Sequence, residues 1–123
     1  MVRTAPAQGL SEPLPPALAV TGRLVRPEAL RLQGNQTTQL RWLRGDSLEQ
    51  HYPKAARAAG LDGIVTVDLL VNEGGSVLEA QVIGESPPDA GFGLAALDAV
   101  KTYEYDNRLH RLVLMSITVE FLP

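Results

Sequence analysis

Cysteine is absent from the 123 residues, which removes a disulfide frame, a thiolate metal site and a cysteine nucleophile together. No apolar run approaches the roughly 20 residues that a bilayer-spanning helix needs, and the N-terminus, Met1-Val2-Arg3-Thr4-Ala5-Pro6, has no apolar core of a signal peptide. Any anchor or export segment would lie outside these residues. Aromatic residues are scarce, at 5%, with Trp42 the single tryptophan. The two histidines, His51 and His110, stand far apart with no carboxylate patterned beside either, whereas a metal site needs three or four convergent ligands. Gly91-Phe92-Gly93 lacks the preceding strand and third glycine of a nucleotide fingerprint. Ser47, Ser76, Ser86 and Ser116 have no nucleophile-elbow context. These absences point away from an enzyme, and neither a metal nor a cofactor is expected.

What is present is one ordinary domain with 45% hydrophobic content, enough for a single core. The net charge of −3 hides an asymmetry: the chain is basic up to Arg57 and acidic from Ala58 onward. A basic segment can address nucleic acid or an anionic membrane. Here Arg23, Arg26, Arg31, Arg41 and Arg44 are scattered among leucines and glutamines, which fits a solvated face better.

Residues 1–22 read as a proline-rich linker, because Pro6, Pro13, Pro15 and Pro16 remove backbone donors and favour extended chain. Residues 23–47 form a lead-in: Leu30-Arg31-Leu32-Gln33 and Gln39-Leu40-Arg41-Trp42-Leu43 alternate around Gly34-Asn35 and fit two short strands or an irregular segment. From residue 48 the pattern sharpens. Asp46 or Ser47 can cap a first turn, Pro53 opens a helix with Tyr52 just outside it, and Gly60 supplies its left-handed C-cap. Val65, Val67, Leu69 and Val71 then face one way and Thr66 and Asp68 the other, a half-buried strand. Asn72-Glu73-Gly74-Gly75-Ser76 turns into a second strand, Val77 to Ile83. Val77 and Val82 are an odd number of residues apart, so a bulge between Leu78 and Gln81 is needed for both to face the core. Phe92, Ala96, Ala99, Val100 and Tyr103 make a helical stripe, with Asp98 on its solvent side. Leu112 to Leu122 is the clearest strand, with Val113, Met115, Ile117, Val119 and Phe121 inward. The expected class is α+β: a three- or four-stranded antiparallel sheet with two helices on one face, in the order α-β-β-α-β.

This order, with Tyr52-Pro53, Ala56-Arg57, Gly60 with Gly63, Gly75 with Val77, and Ala99-Val100, resembles the C-terminal domain of the TonB energy-transducer family over residues 48–123. The closing motif departs from the family's: Tyr103 and Tyr105 replace its large aromatics, Asn107 stands for a proline, and Arg108-Leu109-His110-Arg111 replaces a glycine-containing loop. The resemblance implies a periplasmic, non-enzymatic coupling domain, held at the inner membrane by a preceding anchor that contacts ExbB and ExbD. It grips the TonB box of outer-membrane transporters for nutrient or siderophore import. It implies a docking edge at Val113, Met115, Ser116, Ile117, Thr118, Val119, Glu120 and Phe121, and an auxiliary contact at Glu49, Gln50, His51 and Tyr52. Glu49 occupies the position of the family's glutamine.

Physical chemistry supports such an edge independently, since a terminal strand at a sheet edge exposes N–H and C=O groups that an extended peptide can satisfy. The edge is free only if residues 23–47 do not cover it. A second copy of the chain could pair there too, and a TolA-like or other envelope scaffold is the alternative reading of the same fold.

Overall fold

The computed structural model describes residues 23–123; the expected proline-rich linker, residues 1–22, lies outside them. In chain order the elements are β1 (Leu30–Arg31), a 3-10 turn (Gly34–Gln39), β2 (Leu40–Arg44), a second 3-10 turn (Leu48–His51), α1 (Lys54–Ala58), β3 (Gly63–Val71), β4 (Val77–Ser86), α2 (Phe92–Val100), β5 (Glu104–Asn107) and β6 (Val113–Phe121). The α+β architecture is the expected one. Its main sheet has the order β1-β6-β3-β4, and β2 with β5 forms a separate ribbon. The two lead-in strands therefore do not pair with each other: β1 joins β6 in parallel, and β2 joins β5 antiparallel.

Alternation explains the central pair. Antiparallel β3 and β6 match without a shift from Gly63↔Phe121 to Val71↔Val113, so their valines, Leu69, Met115 and Phe121 share one face. Both helices pack there. Phe92 and Phe121 are centred 5.3 Å apart, and Tyr52 meets each edge-on at 5.8 and 5.7 Å.

Helix α1 is short because it is stopped at both ends. Pro53 stands outside it as N-cap, one residue earlier than the expected helix start would place it. Gly60, at φ 68°, lets the Leu61 N–H reach the Ala56 carbonyl at 2.9 Å and its own N–H reach Arg57 at 3.0 Å. The β3–β4 hairpin has two register shifts. One leaves out Leu78, at the margin of the expected stretch, and brings Val77 and Val82 onto the face of Val71 and Val67; the other leaves out Ile83 and was not foreseen.

The half-buried reading of β3 needs correction. Leu70 and Leu114 on the back face pack with Leu24 into a second small core, and Asp68 beside them is completely buried. Residues 23–29 cross that face, so the sheet is covered on both sides at this end.

Candidate docking edge

The last strand is bonded to β3 along one side for its whole length. On its other side the Leu30 N–H donates to the Leu112 carbonyl and the Leu32 N–H to the Leu114 carbonyl, each at 2.9 Å. Backbone groups point alternately to the two sides of a strand. Those of Ser116, Thr118 and Glu120 therefore point the same way as those of Leu112 and Leu114. Beyond Leu32 the chain winds into its first 3-10 turn, and among the described residues no strand pairs with β6 on this side from Met115 to Phe121. The edge anticipated over Val113 to Phe121 is thus covered at Val113 and Leu114.

Side chains along the edge alternate. Val113, Met115, Val119 and Phe121 are buried in the core and Ile117 packs against it. Thr118 and Glu120 are exposed on the back face and Ser116 is half-buried there. A docked strand would take its hydrogen bonds from the backbone and meet a polar back face, which also limits indiscriminate pairing.

The covered end is held by a charge cluster that the sequence did not reveal. Arg23 spans Asp68, with Nε 2.8 Å from Oδ2 and Nη2 3.2 Å from Oδ1. Ser116 Oγ donates to Oδ1, and the Leu24 N–H reaches Oδ2 at 3.1 Å. Arg31 Nη2 approaches Oδ2 at 3.6 Å. Burial pushes the Asp68 pKa up, but the bonds from Arg23, Ser116 and the Leu24 N–H outweigh it and hold the carboxyl below its ordinary value. The arginines read as a solvated face are in part structural: Arg26 pairs with Glu79 and Arg44 with Glu104. The signal was there in two forms, an apolar Leu70 on the supposedly wet side of β3 and a surplus of arginine upstream.

The residues ahead of Pro53 are engaged locally. Gln50 and Ser47 close a capping box, with the Ser47 N–H 2.8 Å from Gln50 Oε1. His51 Nε2 lies 2.9 Å from Asp46 Oδ2, so one histidine does have a carboxylate beside it, brought there by the turn between them. Glu49 is exposed and sits 3.6 Å from Arg57, whose guanidinium lies 4.7 Å from the centre of the Tyr52 ring. Tyr52 is buried, donates its hydroxyl to the Leu61 carbonyl, and touches the edge strand through Phe121. Of the four, Glu49 and Gln50 face solvent near the far end of β6.

The altered closing motif has a structural account. Asn107 is buried and its amide donates to the carbonyls of Asn72 and Arg111, at 2.9 and 2.8 Å, tying the hairpin to the loop before β6. His110 adopts φ 54°, the left-handed conformation that glycine takes most easily. Trp42 and Tyr103 meet edge-on at 5.7 Å.

The family model described as Gram-negative bacterial TonB protein C-terminal matches residues 49–122. A solution NMR structure of the Pseudomonas aeruginosa TonB C-terminal domain is similar in fold, with a TM-score of 0.57 and 21% identity, covering 76% of this chain and 92% of that one. No curated protein matches the chain.

Proposed function

The chain belongs to the TonB C-terminal family, and on that premise we propose that it grips outer-membrane transporters by accepting an extended transporter segment along the Met115–Phe121 edge of β6. The family's role is non-enzymatic energy transduction, and its place is the periplasm of Gram-negative bacteria. In this reading a preceding segment anchors the protein in the inner membrane and engages ExbB and ExbD, and pull on that segment is passed through the domain to the docked strand. The transporter's TonB box is the occupant.

One observation carries the reading: the backbone groups of Ser116, Thr118 and Glu120 face outward beyond the end of β1, with no partner strand among the described residues. Each hydrogen bond gained there contributes about 0.5–1.5 kcal/mol net, so four or five give about 2–7 kcal/mol, short of the roughly 8 kcal/mol of micromolar binding, and side-chain contacts must supply the rest together with the cost of ordering the peptide. Backbone bonding tolerates varied partner sequences, as a coupler that serves several transporters requires. Glu49 and Gln50 supply the auxiliary contact at the far end.

The test is a titration of the isotope-labelled chain with transporter N-terminal peptides. Amide shifts concentrated at Ser116, Thr118 and Glu120 are expected. Shifts confined to another surface would replace this reading with that of an envelope scaffold. Concentration-dependent sedimentation would reveal a second copy competing for the same edge.

A further inference from the structure

Trp42, the single tryptophan, is exposed on β2, and so is Leu43 beside it. Neither packs into the core. Their strand carries a second open edge. Tyr105 of β5 donates its N–H to the Gly75 carbonyl, on the side of β5 away from β2. Trp42 stands opposite Tyr105, and facing residues of an antiparallel ladder either both bond across it or both turn away. The N–H and C=O of Trp42 therefore point outward from the ribbon, and among the described residues no strand lies on that side of β2.

Arginine sets the charge of this edge. Arg41 faces Asp106 and Arg44 faces Glu104, so the register shift between Trp42 and Arg44 brings both arginines to one face of the ribbon. Arg44 pairs with Glu104 at the surface and Arg108 with Asp106, while Arg41 has no ion pair among the described residues. Three arginines against two acids leave that face one positive charge in excess. A cleft of about 460 Å³, lined by Arg41 and Arg108 among others, opens beside them. The ribbon lies at the Gly75 turn, the end of the sheet where β6 begins; the open part of β6 runs the other way, to Phe121 beside Gly63.

We propose that β2 is a second strand-accepting edge and that its occupant is an extended acidic segment of a partner protein, with acids on the arginine face and apolar side chains beside Trp42. Tryptophan and arginine are the residue types in which binding energy concentrates at interfaces, and the outward backbone of Trp42 supplies the main-chain pairing. Short length, a bulge and charge are also how proteins guard a free edge. Here the guard is selective. A second copy of β2, laid antiparallel about the Trp42–Leu43 junction, sets Arg41 against Arg44 and is repelled, as is a basic segment; an acidic segment meets an opposite charge at each arginine. Arg41 contributes most, since it has no internal partner to give up. This edge does not depend on docking along β6.

The probes are heptapeptides of alternating valine and glutamate, with counterparts in which glutamine or lysine replaces every glutamate. Each is titrated into the full chain, with the emission of Trp42 as the readout and backbone amide shifts followed in parallel. The glutamate peptide is expected to change the emission, to shift the Trp42 amide, and to bind about tenfold tighter than the glutamine peptide, a preference that two exposed charge pairs can supply. The lysine peptide should leave Trp42 unchanged. Arg41→Gln breaks no ion pair and should cut the preference to about threefold, with the glutamine peptide's affinity unaltered. Rising salt should erode the preference further. Equal binding of glutamate and glutamine peptides would overturn the proposal, leaving Trp42 an unselective apolar contact. Amide shifts confined to Ser116, Thr118 and Glu120 would overturn it while supporting docking along β6. An emission change that follows the chain's own concentration without peptide would overturn it in favour of a second copy, and no response of Trp42 to any peptide would overturn it outright.

Discussion

Arg23 and Asp68 are joined across the back of the sheet, guanidinium Nε to carboxylate Oδ2 at 2.8 Å, so that a buried acid of the central strand is neutralised by a residue of the lead-in segment. The pair fastens the chain ahead of β1, the strand that covers the start of β6.

Replacing the acid should loosen that end. Asp68→Asn is expected to lower stability by about 1–3 kcal/mol in urea unfolding, and to speed hydrogen exchange at the Leu30 and Leu32 amides, which bond to Leu112 and Leu114. The pH dependence has a definite sign. The folded pKa of Asp68 lies below its ordinary 3.8, so its contribution is complete above about pH 4 and is lost as pH falls through the folded pKa. Thermal melts of the variant should show a shallower decline below pH 4 than those of the parent.

Edge and ladder positions of β6 should separate cleanly. Amides of Ser116, Thr118 and Glu120 are expected to exchange faster than those of Met115, Ile117 and Val119, which bond to β3. Thr118→Pro removes an outward donor, so it should weaken peptide binding about tenfold while costing roughly 1 kcal/mol of stability. Ile117→Pro breaks the ladder and should cost about 3 kcal/mol or more. Urea unfolding of the two variants distinguishes these effects.

Gly75 has no room for a side chain. Its φ is 95°, and a Cβ there would fall 1.8 Å from the Tyr105 carbonyl oxygen, while its own carbonyl accepts the Tyr105 N–H at 2.8 Å. Gly75→Ala should destabilise by at least about 2 kcal/mol. Gly34→Ala, at φ 58° with open space around it, should cost about 1 kcal/mol. Equal effects in chemical denaturation would contradict the close approach.

Tyr52 acts through the core. Tyr52→Phe keeps the ring against Phe92 and Phe121 but orphans the Leu61 carbonyl, so stability should fall by about 1 kcal/mol. Peptide affinity should stay within twofold; a larger loss would make the hydroxyl a contact.

The tyrosines beside Trp42 should titrate late. Burial pushes the Tyr105 hydroxyl well above its ordinary 10, with the neighbouring Tyr103 adding to it, and burial raises Tyr103 as well. A raised folded pKa stabilises below the unfolded value and loses that contribution above it, so stability should decline as pH rises past about 10. Absorbance of the phenolate against pH, with Tyr105→Phe as control, measures it.

Elements with strong local signals were legible. Pro53 and Gly60 bracket α1, the Phe92 to Val100 stripe is α2, and the alternation of β3 and β6 gives the shared core face. The weaker expectations failed where partners are remote. Asp68 reads as a solvent-facing residue, because its covering comes from residues 23–29 and no local period reports that. Leu30-Arg31 reads as a short strand, which it is, but no local pattern names the strand that it joins.

Sequence alone determined the two helices, the β3–β4 hairpin, the final strand and the class of fold, since periodicity, proline and glycine act over a few residues; it did not reveal β5, and it carried the α2 stripe on to Tyr103 although the helix ends at Val100. It also determined that a final amphipathic strand would exist. Only the tertiary structure decided that β1 lies parallel to that strand, covers Val113 and Leu114, and stops short of Ser116. Strand pairing and the burial of a charge are set by contacts between distant segments, and the choice among them appears only when all the segments compete for the same faces and edges.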